Sequence, residues 1–217
     1  MTAAKAGPAH FLADGPGDGA AAILLAHGAG APMDTPWMNA VATALAGRGL
    51  SVIRFEFDYM AARRSGGTRK PPPRAETLMA EFTGAIAALE GRMPLIIGGK
   101  SMGGRVASMI ADRCREAGQV SGLVCLGYPF HPPGKPASLR TAHLEGLQTP
   151  ALICQGTRDP FGTVEEVAAY PLPDAIRFHW LEDGDHDFKP RKASGHTLAS
   201  HIESVADAVA GFAQTLG

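Results

Sequence analysis

Short, nearly continuous apolar runs alternate with longer amphipathic stretches along this chain, and few architectures accept that order. The runs are AAAILLAHG at 20–28, SVIRFEFDY at 51–59, PLIIGG at 94–99, SGLVCLGYPF at 121–130, ALICQGTRD at 151–159 and AIRFHWLEDGDH at 175–186. A strand with one wet face alternates apolar and polar residues, whereas a strand covered on both faces is apolar throughout. Between the runs, stretches 34–49, 75–92, 102–118 and 194–217 read as helices, and in the second of these Leu78, Met79, Phe82, Ile86 and Leu89 fall at helical spacing. SGGTRKPPPR at 65–74 is a loop by its Gly, Pro and charge. Parallel strands need crossover connections, which helices supply. The expectation is an α/β fold: a mostly parallel central sheet with helices on both faces, in one domain over 1–217, with residues 129–150 as a short connection or reduced lid.

Bulk composition fits that reading and narrows the partners. A chain of 217 residues, 45% hydrophobic and 19% charged, can bury one substantial core but not two comfortable ones. Its formal net charge of −1 supplies no global field toward nucleic acid or an anionic membrane, so neither is an expected partner. No basic start precedes a long apolar run, and no stretch approaches the roughly 18 apolar residues of a membrane span, so a soluble, cytoplasmic protein is expected. Cys114, Cys125 and Cys154 lack C-x-x-C spacing, and buried free thiols are expected.

The run at 94–99 leads into GGKSMGGR, for which three readings compete. A phosphate-binding loop needs G-x-x-x-x-G-K-[ST], and its end matches, but its first glycine would fall on Pro94. Gly99-Lys100-Ser101-Met102-Gly103 matches G-x-S-x-G, a sharp strand-to-helix turn that exposes a serine hydroxyl and needs small neighbours. Alternatively, Ser101 simply caps the following helix.

Context decides between them. In parallel sheets ligands gather where strands end at their carboxyl edge. HGAGAP at 27–32 follows the first run; a dinucleotide fingerprint fails there at Met33, whereas the Ala29 amide can point at a developing oxyanion, with the Met102 amide as second donor. Asp159 follows the run ALICQG, and His186 follows IRFHWLE in DGDHDF. Asp183, Asp185 and Asp187 around that histidine raise a metal loop, but no distant Glu or paired His completes one. Other histidines are weaker candidates: His10 near the terminus, His131 and His143 in the Pro-rich connection, His179 inside a strand, and His196 and His201 by the closing helix. Nucleophile, acid and base thus occur in the order Ser101, Asp159, His186.

Through LLAHGAGAPMD, RFEFDYMAARR, GGKSMGGRVAS, QGTRDPFG and DGDHDF, the chain from about residue 20 resembles the α/β-hydrolase superfamily, in particular its small, nearly lidless members near the dienelactone-hydrolase-like branch. Dienelactone hydrolases proper use a cysteine nucleophile and this chain has Ser101, so their substrate does not carry over. The resemblance implies Ser101 as nucleophile, His186 as base, Asp159 as acid and the Ala29 and Met102 amides as oxyanion hole, without cofactor or metal. The expected activity is hydrolysis of small carboxylic esters or thioesters through an acyl-enzyme; a non-catalytic binding module on the same scaffold, or cleavage of peptide or C–C bonds, are the competing readings. Lys100, beside the serine, either holds a substrate anion or points away from the pocket. The loop bearing Arg63, Arg64, Arg69, Lys70 and Arg74 is either solvated or overhangs the active edge, where Arg63 and Arg64 would favour acidic substrates.

Overall fold

Seven strands form one sheet in the computed structural model, which describes residues 11–64, 66, 71–89, 91 and 94–216. The strands are β1 (Phe11–Asp14), β2 (Ala22–Ala26), β3 (Ser51–Phe55), β4 (Leu95–Lys100), β5 (Gly122–Leu126), β6 (Ala151–Gly156) and β7 (Ile176–Leu181), in the spatial order β1-β3-β2-β4-β5-β6-β7. Every neighbouring pair is parallel except β1 with β3, where Phe11 lies opposite Phe55. β2 to β6 are buried along their whole length, which is why their sequences do not alternate. β1 was not expected: a four-residue, half-exposed edge strand carries too little apolar signal to stand out.

Helices cover both faces. α3 (Ala75–Ala87) and α4 (Met102–Glu116) enclose one core layer around Phe82, Val106 and Tyr128, and α1 (Pro36–Ala46) and α6 (Leu198–Gln214) enclose the other around Leu45, Val205 and Phe212. α1 starts where Thr35 accepts the Met38 amide at 3.2 Å and Pro36 supplies a preset first turn. Two shorter helices are α2 (Asp58–Arg64) and α5 (Val164–Val167).

α2 corrects the expected strand at 51–59, because β3 stops at Phe55 and the chain turns into a helix. Asp58 at its start and Arg63 and Arg64 at its end suit the helix dipole, a local signal that the alternation of Phe55 and Phe57 had masked. Residues 129–150 contain turns and bends without helix or strand, and among the described residues no separate lid is evident. Cys114, Cys125 and Cys154 are free and buried, and burial pushes the Cys154 thiol up to about 12. Among the described residues no helix is long and apolar enough to cross a membrane.

α4 approaches the sheet closely because the residues at the crossing have no side chain. A Cβ on Gly103 would lie 2.5 Å from the Ala26 carbonyl oxygen and 2.7 Å from that of His27. Both are backbone atoms, so no side-chain rotation relieves the overlap. Gly103→Ala is therefore expected to lower the unfolding free energy by at least about 1–3 kcal/mol, seen as a reduced urea midpoint at constant slope; an unchanged midpoint would show that the crossing has slack.

Candidate active site

β4 ends at Lys100 and α4 begins at Met102, so Ser101 carries the whole change of direction, with φ 50° and ψ −114°. Positive φ is costly for a residue with a Cβ and persists only where the surroundings enforce it. The Ser101 amide donates to the Leu126 carbonyl at 3.0 Å, fixing the turn to β5. Its hydroxyl makes no helix-capping bond, which removes the capping reading. Instead the hydroxyl lies 2.9 Å from His186 Nε2.

His186 reaches that position from the loop after β7. Its Nδ1 donates to Asp159 Oδ2 at 2.8 Å, and its ring packs on Phe161 with centroids 4.2 Å apart. Asp159, fully buried after β6, also accepts from Gln155 Nε2 at 2.9 Å on Oδ2 and from the Phe161 amide at 2.9 Å on Oδ1. Donors on both oxygens leave Nδ1 as the protonated imidazole nitrogen and Nε2 as the one that can accept the serine proton. Gln155 escaped sequence reading, although a lone amide inside the apolar run ALICQG had to find buried partners. It finds several, donating to Asp159 and the Tyr128 carbonyl and accepting from the Tyr128 amide.

Room for this arrangement comes from Gly127, at φ +69°, where a Cβ would stand 2.9 Å from the His186 carbonyl oxygen and 3.3 Å from its Nδ1. The carboxylates beside His186 serve the loop rather than an ion. Asp183 pairs with Arg158 and Arg191, which hold its carboxyl down at about 2, and Asp185 Oδ1 accepts the amides of Asp187 and Lys189 at 2.9 Å each. Among the described residues no group of three or more His, Cys, Asp or Glu is placed to hold a metal. The weaker histidine candidates have other partners: His143 and His179 meet Ser108 and Ser204, His131 the Pro132 carbonyl, and His201 the Phe188 carbonyl and the His196 ring; His10 lies outside the described residues.

Ala29 and Met102 both line the cleft at Ser101, and among the described residues neither amide donates to another protein group. The turn bearing Ala29 is held from behind. His27 Nδ1 donates to the Gly28 carbonyl at 2.7 Å while Nε2 accepts the Phe57 amide at 3.2 Å, a pattern only the neutral ring can make, and burial lowers the pKa of His27 accordingly. Tyr59 donates to the Ala29 carbonyl at 2.9 Å.

The basic residues after β3 are placed differently from the expectation. Arg64 binds Asp34 through two nitrogens at 2.7 and 2.9 Å and the buried Glu56 at 2.6 and 2.9 Å, so its charge ties α2 to the segment after HGAGAP. Arg63 lies over the Tyr59 ring, 5.4 Å from its centroid, and neither arginine lines the clefts at Ser101. Arg69 and Lys70 lie outside the described residues. Of the described cations in this stretch, Arg74 does reach the cleft.

Lys100 is buried, and its ammonium donates to the His186 carbonyl at 2.6 Å, sits 3.2 Å from Asp187 Oδ1 and lies 5.4 Å from the centre of the Trp37 ring. Burial pulls its pKa down, and Asp187 opposes the shift. The lysine thus anchors the loop carrying His186. Lys100→Met is expected to lower kcat for a cleaved ester about 10- to 100-fold with little change in KM; a change confined to KM would mark a substrate contact instead.

Two clefts meet at Ser101. One, of about 570 Å³, is lined by Arg74, Arg105, Arg140 and Met102; the other, of about 560 Å³, by Trp37, Met38, Leu198, Lys100 and His186. Comparison with solved structures finds the same fold. A dienelactone hydrolase from Anabaena variabilis is similar at TM-score 0.69 and 21% identity, over 95% of this chain and 91% of that one. An esterase domain from Rhodothermus marinus gives 0.65 and 18%, over 94% and 92%. A serine hydrolase without lid from Xanthomonas campestris gives 0.64 and 19%, over 96% and 88%. The family model of the alpha/beta hydrolase domain matches residues 19–214, nearly the whole chain, and the protein belongs to that family.

Proposed function

We propose that this protein is a serine hydrolase that cleaves small carboxylic esters or thioesters through an acyl-enzyme. The carrying observation is the unbroken hydrogen-bond chain from the Ser101 hydroxyl through His186 to Asp159, with the unpartnered amides of Ala29 and Met102 in the same cleft. Family membership and the hydrolases among its structural neighbours support hydrolysis as the activity.

Ser101 Oγ attacks the substrate carbonyl as its proton passes to His186 Nε2, and the two amides hold the negative oxygen of the tetrahedral adduct. Asp159, its carboxylate against Nδ1, stabilises the imidazolium. The adduct collapses, the bond to the leaving oxygen or sulfur breaks, and His186 returns the proton to that atom. Water then gives a proton to His186 and attacks the acyl carbon; the second adduct collapses to release the acid, and Ser101 Oγ regains its proton. Every proton in this cycle is carried by His186, which Lys100 and Asp159 help to keep within reach of the serine.

The test is a pre-steady-state assay with p-nitrophenyl acetate. A burst of nitrophenolate near one equivalent, with a matching acetyl adduct by intact mass, is expected where deacylation is slower than acylation. Absence of any turnover of acetate, butyrate or hexanoate esters and of acyl thioesters by folded protein would refute the proposal.

A further inference from the structure

Both clefts beside Ser101 carry an excess of cations, Arg74, Arg105 and Arg140 against Glu76 in one and Lys100 and Lys189 against Asp187 in the other, and the position of His186 assigns a polarity to the substrate. His186 lines the cleft of Trp37, Met38 and Leu198 and not the cleft of the arginines. Since His186 must protonate the departing atom, the leaving group lies on its side and the acyl chain extends the other way. That other way leads past Met102 to Arg74, Arg105 and Arg140.

Three guanidinium groups share that cleft with a single carboxylate, Glu76, which pairs with Arg105 at 2.9 Å. Among the described residues Arg74 and Arg140 have no ion-pair partner. Arg140 is held in place through its backbone: its amide donates to the Phe130 carbonyl at 2.8 Å, and its carbonyl accepts the Tyr128 hydroxyl at 2.9 Å. Beneath it His143, neutral because burial draws its pKa down to about 4, bonds Ser108 at 2.9 Å. Burial and then the neighbouring Arg105 lower the Arg140 pKa, and Tyr128 and Glu76 oppose the shift. The guanidinium remains charged, and its planar donors match a carboxylate.

We propose that this cleft is an acyl-side subsite for a carboxylate, so that the preferred substrates are monoesters or monothioesters of short dicarboxylic acids, with Arg140 and Arg105 as the anion contacts and Arg74 at the rim. The inference rests on the serine-hydrolase reading for the direction of the acyl chain, but the anion site itself does not.

The experiment compares mono-4-nitrophenyl adipate with 4-nitrophenyl hexanoate, equal in acyl length and different in terminal charge, each corrected for uncatalysed hydrolysis. The adipate ester is expected to have the higher kcat/KM, and Arg140→Gln and Arg105→Gln each to reduce the adipate-to-hexanoate ratio about 10- to 100-fold, chiefly through KM. A ratio near one in the native protein, or one unmoved by both substitutions, overturns the proposal. Equilibrium binding of adipate and hexanoate to Ser101→Ala protein separates the two ideas. Adipate binding that Arg140→Gln abolishes, when the native protein cleaves neither ester, sustains the subsite and refutes the hydrolase; cleavage of hexanoate by the native protein without preferential adipate binding does the reverse.

Discussion

Ser101→Ala is expected to lower kcat for p-nitrophenyl acetate by at least about 10⁴-fold, with thermal stability close to that of the native protein. The hydroxyl makes one hydrogen bond, to His186 Nε2, and no helix cap depends on it. Alanine suffers the same penalty at φ 50° as serine, since both carry a Cβ, so the strain of the turn is unchanged. What disappears is the hydroxyl that lies 2.9 Å from His186 Nε2. Activity that survives at the native rate in a well-folded variant would mean that the nucleophile lies elsewhere.

Asp159→Asn is expected to cost about 10⁴-fold in kcat as well, by a different route. Asp159 accepts from His186 Nδ1 and Gln155 Nε2 on one oxygen and from the Phe161 amide on the other. An asparagine has a single oxygen for these two directions. Turned toward His186, it leaves its NH₂ opposed to the buried Phe161 amide, an unsatisfied pair worth about 1–3 kcal/mol. Turned the other way, it donates to Nδ1, and the imidazole answers by moving its proton to Nε2, where it can no longer accept from Ser101. The second arrangement relieves the clash at His186 by a tautomer change but sets the NH₂ against Gln155 Nε2, so each orientation keeps one buried mismatch, and in both the negative charge that stabilises the imidazolium is gone. Steady-state kinetics on the same ester check the loss; a decrease below about tenfold would show that His186 is oriented without Asp159.

How far the fold could be read from sequence depended on which residues carry their constraint locally. The parallel strands were legible because burial on both faces leaves Ile23 to Leu25 or Leu95 to Ile97 no polar position. The turn at Ser101 was legible because the glycines around it answer to backbone crowding at the α4 crossing. Asp159 and His186 could be placed after strand ends from chain order alone. The roles of the cations could not: Arg64 and Lys100 gain their meaning from Asp34, Glu56, Asp187 and the His186 carbonyl, partners that only the folded sheet edge brings to them. The same holds for Arg105 and Arg140, which sit on a helix and on the connection after β5 and share one cleft, the connection being fastened by the Phe130 carbonyl and the Tyr128 hydroxyl.

Behind every step lies the claim that the environment of Ser101 turns an ordinary hydroxyl into a nucleophile. Fluorophosphonate labelling of the native protein, followed by peptide mapping, tests it most directly, because the reagent phosphonylates serines that a neighbouring base activates. Stoichiometric modification on the peptide containing Ser101, absent from Ser101→Ala and strongly slowed in His186→Ala, is the predicted result. A folded native protein that stays unmodified, or one labelled at another residue, would contradict the account.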